Sequence, residues 1–150
     1  MIIGIDARSL EWQRGAVAKF VKKIIDYYFD NSQIIEVVLF FQNNIPNDLI
    51  YLEKKFKLHL LKGPKILKKK RAIAEQLLLP FAIKKEKCDV FLATNYSAPL
   101  LIRCPIILCL WDITYSTYPT HYRFFYGITL SITSRLSALK SKKIITCSKF

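Results

Sequence analysis

Short apolar runs alternate along the chain with longer segments whose apolar residues recur every three or four positions. The apolar runs cover residues 2–5, 34–41, 56–61, 89–93, 106–111 and 143–147. Such runs are typical of buried strands, and the continuously apolar stretch 106–111 is typical of a central parallel strand. The pattern therefore predicts six strands. The signal is weakest for residues 56–61, where apolar and polar residues alternate only in part.

Helical patterns lie between these runs. After Gly15, apolar residues from Val17 to Tyr28 recur at helical spacing and predict an amphipathic helix. Residues 48–56 predict a short helix, residues 73–85 a helix that Pro80 should kink or split, and residues 122–139 a long helix. Residues 6–14 form a predicted polar loop. Alternating strands and helices imply right-handed βαβ crossovers. The expected fold class is α/β, with a Rossmann-like doubly wound, mostly parallel sheet and helices on both faces, in one domain over residues 1–150.

Ligands of doubly wound sheets bind at the carboxyl ends of the strands. In this chain those ends are residues 6–15, 94–99, 112–119 and 148. Gly15 stands just before the first helix, where free backbone N–H groups and the helix dipole favour phosphate. The loop has neither the further glycines of a dinucleotide-binding fingerprint nor the Walker lysine spacing. Taken alone, Gly15 indicates only a turn.

The chain is strongly basic, with 24 Lys and Arg against 11 Asp and Glu and a net charge of +13. This charge points to an anionic partner. It is densest at Lys68, Lys69, Lys70 and Arg71. One interpretation is a solvated helix face, and another is a surface that docks on an anionic membrane. Nucleic acid is not expected, because the flanking residues look like core rather than exposed aromatics and glycines.

The four cysteines are Cys88, Cys104, Cys109 and Cys147, and they form no C-x-x-C pair. They have no histidine at metal-ligand spacing and lie in or beside apolar runs, which predicts buried free thiols and no metal site. Free thiols fit a reducing cytosol. No apolar run reaches transmembrane length. The expected location is cytoplasmic, with peripheral binding to the inner face of the cell membrane as a further interpretation.

Five segments follow one another in the order of a known family's motifs. They are Ile3-Gly4-Ile5-Asp6-Ala7-Arg8 with Arg14-Gly15-Ala16-Val17-Ala18-Lys19-Phe20, Ala74-Glu75-Gln76 with Leu79-Pro80, Asp89-Val90-Phe91 with Asn95-Tyr96 and Pro99, Leu110-Trp111-Asp112-Ile113-Thr114-Tyr115 with Pro119, and Ile144-Ile145-Thr146-Cys147-Ser148-Lys149-Phe150. Together they resemble the N-terminal domain of retaining GT-B glycosyltransferases of the group 1, or family 4, type. The chain departs from that pattern where Ala16, Lys19 and Phe20 stand in place of glycine, arginine and tyrosine.

The resemblance implies the N-terminal, acceptor-side half of a GT-B fold. The C-terminal half, which holds the nucleotide-sugar in that family, is expected to be absent from residues 1–150, so that the chain is a fragment or a truncated product and inactive by itself. The complete enzyme would transfer a sugar from a nucleotide-sugar to a glycan or lipid-linked acceptor in cell-surface polysaccharide synthesis. No cofactor and no metal are expected, since backbone N–H groups and basic side chains would meet the phosphate charge.

The resemblance also assigns roles to individual residues. Its diphosphate loop corresponds to Arg8, Gly15, Ala16 and Lys19, its catalytic position to Asp112, and its acceptor side to Asn95, Tyr96 and Trp111. Tyr115 and His121 are also expected on the acceptor side, because they follow Asp112 closely in the sequence, although Tyr115 could instead pack against the long helix. Asp112 could instead cap a helix or hold a loop. Trp111 replaces the family's histidine and cannot exchange a proton, because an indole is a donor only.

That replacement leaves three explanations open: Trp111 as a platform for a sugar ring, altered chemistry, or loss of activity. A non-catalytic interaction or membrane-docking domain is therefore the alternative function. A dehydrogenase is disfavoured by the missing glycines.

Overall fold

A computed structural model gives the structure of the protein for residues 1–12, 15–31, 35–118 and 124–147. Its centre is a six-stranded sheet in which every pairing is parallel. The strands are β1 (Ile2–Asp6), β2 (Glu36–Phe41), β3 (Lys57–Leu60), β4 (Val90–Ala93), β5 (Ile106–Leu110) and β6 (Lys143–Thr146). The six predicted strands are thus confirmed, and the sheet is wholly rather than mostly parallel.

The strand order is β3-β2-β1-β4-β5-β6. The chain therefore winds outward in one direction from β1 to β3 and in the other from β4 to β6. Ile3 of β1 pairs with Val37 of β2 on one side and with Val90 of β4 on the other. The direction reverses between β1 and β4, and doubly wound folds bind their ligands at the carboxyl ends of the strands at such a point.

Helices cover both faces of the sheet. They are α1 (Gly15–Asn31), α2 (Lys65–Lys69), α3 (Arg71–Ile73), α4 (Leu79–Lys85), α5 (Thr114–Thr117) and α6 (Phe124–Lys140). On one face, α1 contributes Val21 and Ile25 to the core. On the other face, α4 contributes Leu79 and Ile83, and Ala138 of α6 packs against the same cluster. The α/β, Rossmann-like, doubly wound fold predicted from the sequence is therefore observed.

The predicted helix over residues 73–85 is divided by a π-helical turn, Ala74–Leu78, between α3 and α4. Pro80 lies just after this turn and has no backbone N–H to donate to the preceding turn. A wider π turn is one of the ways in which a helix absorbs such a gap. The prediction that Pro80 interrupts the regular helix is confirmed.

Two other segments differ from the sequence-based prediction. The predicted polar loop 6–14 contains a 3-10 helix, Arg8–Trp12, whose residues Arg8, Ser9 and Leu10 are buried. The predicted helix 48–56 is also a 3-10 helix, Asn47–Lys54. The short helices α2 and α5 were not predicted, because segments of four or five residues are too short to show a helical period.

Three of the four cysteines are buried or half-buried, and all four are free thiols. Burial raises the pKa of Cys88 to about 12 and that of Cys109 to about 11. The prediction of a buried thiol is wrong for Cys147, which is exposed because it follows β6, an edge strand whose residues are all exposed. Among the described helices, none has the length and apolar character needed to cross a membrane.

Candidate functional site at the carboxyl edge of the sheet

Arg8 lies directly after β1, at the carboxyl end of that strand, and only 2% of its surface is exposed. Its Nε donates to Oδ1 of Asp6 at 2.8 Å, and its Nη2 donates to Oδ2 of Asp6 at 2.8 Å. The same Nη2 donates to Oε2 of Glu75 at 2.6 Å. The planar guanidinium thus grips one carboxylate with two parallel hydrogen bonds and reaches a second one.

Glu75 connects this ion pair to the loop after β4. It lies in the π-helical turn and is buried. Its Oε1 accepts a hydrogen bond from Oγ of Ser97 at 2.6 Å. The neighbouring Gln76 donates from Nε2 to the Ala98 carbonyl at 3.0 Å and accepts the Leu100 N–H at 2.9 Å. The π turn and this loop are therefore held together by side-chain hydrogen bonds.

The charges in this cluster balance. Burial raises the pKa of Asp6, but the attraction of Arg8 outweighs burial and leaves the pKa below its ordinary value. Burial lowers the pKa of Arg8, and the two carboxylates more than reverse this. Nη2 of Arg71 lies 3.7 Å from Oδ2 of Asp6. Two guanidinium groups thus face two carboxylates in this cluster.

Arg71 consequently differs from its neighbours in the basic run. Its Nη2 atom is buried, and burial lowers its pKa below the ordinary arginine value. Lys69 and Lys70 are exposed, and Lys68 is half-buried. The carbonyl of Lys68 accepts a hydrogen bond from Nε2 of Gln42 at 2.6 Å. Of the four residues in the predicted membrane-facing run, Arg71 belongs with the internal ion cluster.

A second polar group lies at the carboxyl ends of β4 and β5. The Tyr96 hydroxyl donates to Oδ2 of Asp112 at 2.8 Å. Oδ1 of Asp112 accepts the backbone N–H of Thr114 at 2.9 Å, which is the loop hydrogen bond that the sequence left as the alternative role of this residue. The rings of Tyr96 and Tyr115 meet edge to face, with centroids 5.9 Å apart. Asn95 stands next to Tyr96 on the same loop, half-buried.

Asp112 is exposed, and its carboxylate is ionised at neutral pH. Its slight burial raises the pKa of Asp112. The hydrogen bonds from Tyr96 and Thr114 lower this pKa by more than burial raises it, so the net shift is downward. Tyr96 has a φ of 40°, in the left-handed region that non-glycine residues rarely occupy. Such strain concentrates at functional sites. Asp112 therefore presents a fixed hydrogen-bond acceptor beside the half-buried ring of Tyr96, whereas Tyr115 is buried.

The Trp111 side chain makes its hydrogen bond and its ring contact within the protein. Its Nε1 donates to the Thr94 carbonyl at 2.9 Å, and its ring meets Phe20 of α1 edge to face at 4.8 Å. Thr94 in turn donates from Oγ1 to the Asp6 carbonyl at 2.8 Å. The only donor of the indole is therefore occupied within the protein, and Trp111 ties the end of β5 to β4 and to the start of α1.

Among the described residues, no hydrogen bond joins Gly15, Ala16 or Lys19 of the predicted diphosphate loop to Tyr96 or Asp112. Gly15 opens α1 with a φ of 88°, which favours glycine, and among the described residues outside its own helix backbone and chain neighbours no atom lies within 4 Å of the position of an added Cβ. Lys19 lines a cavity of about 370 Å³ together with Lys22, Lys23 and Asp48, and none of the predicted acceptor-side residues that the structure describes lines it. Gly15, Ala16 and Lys19 are exposed, whereas Arg8 is enclosed. Their contact with a diphosphate stays a prediction.

His121, which was predicted on the acceptor side, lies outside the described residues, as does Pro119. Asn95, Tyr96, Trp111, Asp112 and Tyr115 do come together. The sequence reasoning did not assign Asp6, Glu75 or Thr94 to the site. The sequence signal for Asp6 was an acid at the end of a buried strand, and the signal for Glu75 was a single acid in a mostly apolar segment. A carboxylate that is buried at such a position needs a partner.

Within the described ranges, no group of three or more His, Cys, Asp or Glu side chains could hold a metal ion. Compared with protein-family models, curated proteins and solved structures, the chain matches none of them.

Proposed function

We propose that residues 1–150 form the acceptor-side domain of a retaining GT-B glycosyltransferase that transfers a sugar from a nucleotide-sugar to a glycan or lipid-linked acceptor. The observation that carries the proposal is the contact between three segments that resemble the family's motifs. Arg8, from the first segment, donates to Glu75 of the second at 2.6 Å, and Glu75 accepts from Ser97, in the third, at 2.6 Å. Residues far apart in the sequence thus build one charged cluster.

The polar group at the end of β4 and β5 has the chemistry that a sugar requires. The ionised carboxylate of Asp112 accepts hydrogen bonds from hydroxyl groups, and tyrosine rings contact the apolar faces of a sugar ring. Both Asp112 and Tyr96 are accessible from solvent. In this proposal Asp112 and Tyr96 hold the acceptor, while Gly15, Ala16 and Lys19 approach the diphosphate of a donor bound by a second domain.

Acceptor binding can be tested by NMR on the ¹⁵N-labelled chain, which has two tryptophan indole signals. The Trp12→Phe variant assigns them, so that Trp111 becomes a probe at the end of β5. A panel of glycans should include one that shifts the Trp111 signal. Tyr96→Phe and Asp112→Asn should each weaken that binding about tenfold, since each removes a hydrogen bond to a charged group. Tyr27→Phe, on the exposed face of α1, is the matched control.

Two results would contradict the proposal. One is a panel in which no glycan or lipid-linked sugar shifts the Trp111 signal. The other is tight binding of a nucleotide-sugar to residues 1–150, because the donor then needs no second domain. The second result would leave a different nucleotide-binding enzyme as the better assignment.

The alternative function, a non-catalytic interaction or membrane-docking domain, is favoured by the position of Trp111. This residue stands where the family has a histidine, and its indole N–H is occupied by the Thr94 carbonyl. A side chain held in this way contributes packing rather than proton transfer. In the intact protein, Trp111→His would raise transfer activity if the loss of histidine had lowered it, and would leave a non-catalytic domain inactive.

A further inference from the structure

A groove of about 570 Å³ runs between α4 and the loop that joins β4 to β5. Its lining includes the apolar residues Leu77, Phe81 and Leu101 and the basic residues Lys84, Lys87 and Arg103. Phe81 and Leu101 are each 75% exposed. Large apolar side chains this exposed, on one groove and beside cations, mark a binding surface rather than scattered surface residues.

The exposure follows from the way in which the neighbouring residues are anchored. In α4, Leu79, Ala82 and Ile83 are buried in the core, so Phe81 faces outward. In the loop, Ile102 is buried, and the adjacent Leu101 faces the solvent. Both apolar side chains are thus held outward by well-packed elements, and neither could be buried without moving a core residue.

Hydrogen bonds fix the two walls of the groove relative to each other. Gln76 donates to the Ala98 carbonyl and accepts from the Leu100 N–H. Nζ of Lys140, from α6, also donates to the Leu100 carbonyl. Oγ of Ser137 accepts the Ala98 N–H at 2.9 Å. The groove is therefore formed before any partner binds, which lowers the entropic cost of docking.

The rim of the groove is positively charged. Lys84, Lys87 and Arg103 are exposed, and within the described residues no ion pair engages them. Of the two acids nearest to Lys84 and Lys87 in the sequence, Glu86 pairs with Lys57 and His59, and Asp89 accepts the Ile2 N–H at 2.7 Å. The floor includes Ile83 and Cys88, and burial raises the pKa of that thiol, so it stays neutral. An apolar channel with a cationic rim complements an amphiphile with an anionic head group.

We propose that this groove docks the protein on an anionic phospholipid bilayer. Phe81 and Leu101 enter the boundary between head groups and acyl chains, while Lys84, Lys87 and Arg103 contact the phosphates. This surface differs from the run Lys68–Arg71, part of which faces the internal ion cluster. The proposal holds whether or not the protein is a glycosyltransferase, since it rests on the groove alone.

The test is flotation of the 150-residue chain with vesicles of phosphatidylglycerol and phosphatidylcholine, compared with vesicles of phosphatidylcholine alone. Binding should require the anionic lipid and weaken with added salt. Phe81→Ser with Leu101→Ser should lower binding at least tenfold. Lys84→Gln with Lys87→Gln should lower it at least tenfold and reduce its salt dependence, because each cation near the surface contributes about fivefold.

Matched controls are available on the opposite face of the sheet. Tyr27→Ser removes an exposed aromatic side chain from α1. Lys23→Gln with Lys54→Gln removes two positive charges from exposed positions, as many as the groove variant removes. Both should bind as the unchanged protein does. Circular dichroism checks that every variant is folded.

Three outcomes would overturn the proposal. They are failure of the unchanged protein to float with anionic vesicles, unchanged binding of the Phe81/Leu101 variant, and loss of binding in Lys68→Gln with Lys69→Gln but not in the groove variants. None of them affects the glycan-binding test, so the two proposals fail separately.

Discussion

Two buried glutamates, Glu75 and Glu86, each sit in a small cluster of opposite charge, but the clusters differ in their access to water. The partner of Glu75 is Arg8, which is as buried as the carboxylate itself. Glu86 accepts from Nδ1 of His59 at 2.7 Å and contacts Nζ of Lys57 at 2.5 Å, and the Lys57 side chain is 64% exposed. In the first pair both side chains are buried, whereas in the second the lysine is exposed to solvent.

The comparison shows that the count of ion pairs says little about stability. A buried carboxylate that loses its cation keeps its desolvation cost without compensation. A carboxylate whose partner is exposed can be solvated again when the partner is removed. The local environment of each pair therefore sets the effect of a substitution, and the four predictions below follow that order.

Arg8→Met should have the largest effect, because it leaves Asp6 and Glu75 buried with only Arg71 nearby. We expect the free energy of unfolding at pH 7, measured with urea, to fall by about 3–5 kcal/mol. Arg8→Lys keeps the charge but loses the pair of parallel hydrogen bonds to Asp6. Its free energy of unfolding should therefore lie between those of Arg8→Met and the unchanged protein. A loss below about 1 kcal/mol for Arg8→Met would contradict a dry, tightly coupled cluster.

Glu75→Gln should cost about 2 kcal/mol, because the amide keeps the shape but no longer accepts the Arg8 hydrogen bond as an anion. The same urea titration measures it. Glu53→Gln, at an exposed position of the 3-10 helix Asn47–Lys54, is the matched control and should change stability by less than about 0.5 kcal/mol. Equal effects at the two positions would mean that Glu75 is solvated in solution.

Glu86 should contribute a pH-dependent part of the stability. Burial raises its pKa, but hydrogen bonds from Lys57 and His59 lower it below the ordinary value of 4.5. A lowered pKa in the folded state means that the contribution is complete above pH 4.5 and is lost as the pH falls through the folded pKa. We expect Glu86→Gln to cost about 1 kcal/mol at pH 7 and less at pH 3.5. If the difference in the free energy of unfolding between Glu86→Gln and the unchanged protein were the same at both pH values, the protonation of Glu86 would not contribute to the pH dependence of stability.

The smallest effect should come from Lys22→Ala on α1. Nζ of Lys22 contacts Oδ1 of Asp26 one turn later and donates to the Tyr51 hydroxyl at 2.8 Å, but all three groups are partly open to solvent. We expect a loss of at most about 1 kcal/mol in the urea titration, and less in high salt. A loss as large as that of Arg8→Met would remove the distinction between buried and exposed pairs.

Much of the fold was predictable, because strands and long helices each have a characteristic spacing of apolar residues along the sequence. The six apolar runs lie on the six strands within a few residues, and the pattern from Val17 to Tyr28 lies on α1. Elements of one turn were missed or predicted as loops, Arg8–Trp12 and Thr114–Thr117 among them. Their hydrogen bonds depend on contacts with distant segments, which no local pattern contains.

The site was predictable only in part. The strand ends indicated the segments 94–99 and 112–119, and the family resemblance singled out Asn95, Tyr96, Trp111 and Asp112 in or beside them. That Arg8 faces inward was not predictable, because its partner Glu75 is 67 positions away. From the sequence alone, a basic residue at a strand end that binds a ligand phosphate cannot be distinguished from one that pairs with an internal carboxylate.

The amino-acid sequence by itself determined the class of fold, through the spacing of apolar residues that must leave water together. It also determined the net charge and the positions of the strand ends. Only the tertiary structure decided which charges face inward and which side chains stay exposed. Burial is a property of the whole packed chain, so Arg8 becomes part of the interior and Phe81 part of the surface only when all the elements are in place.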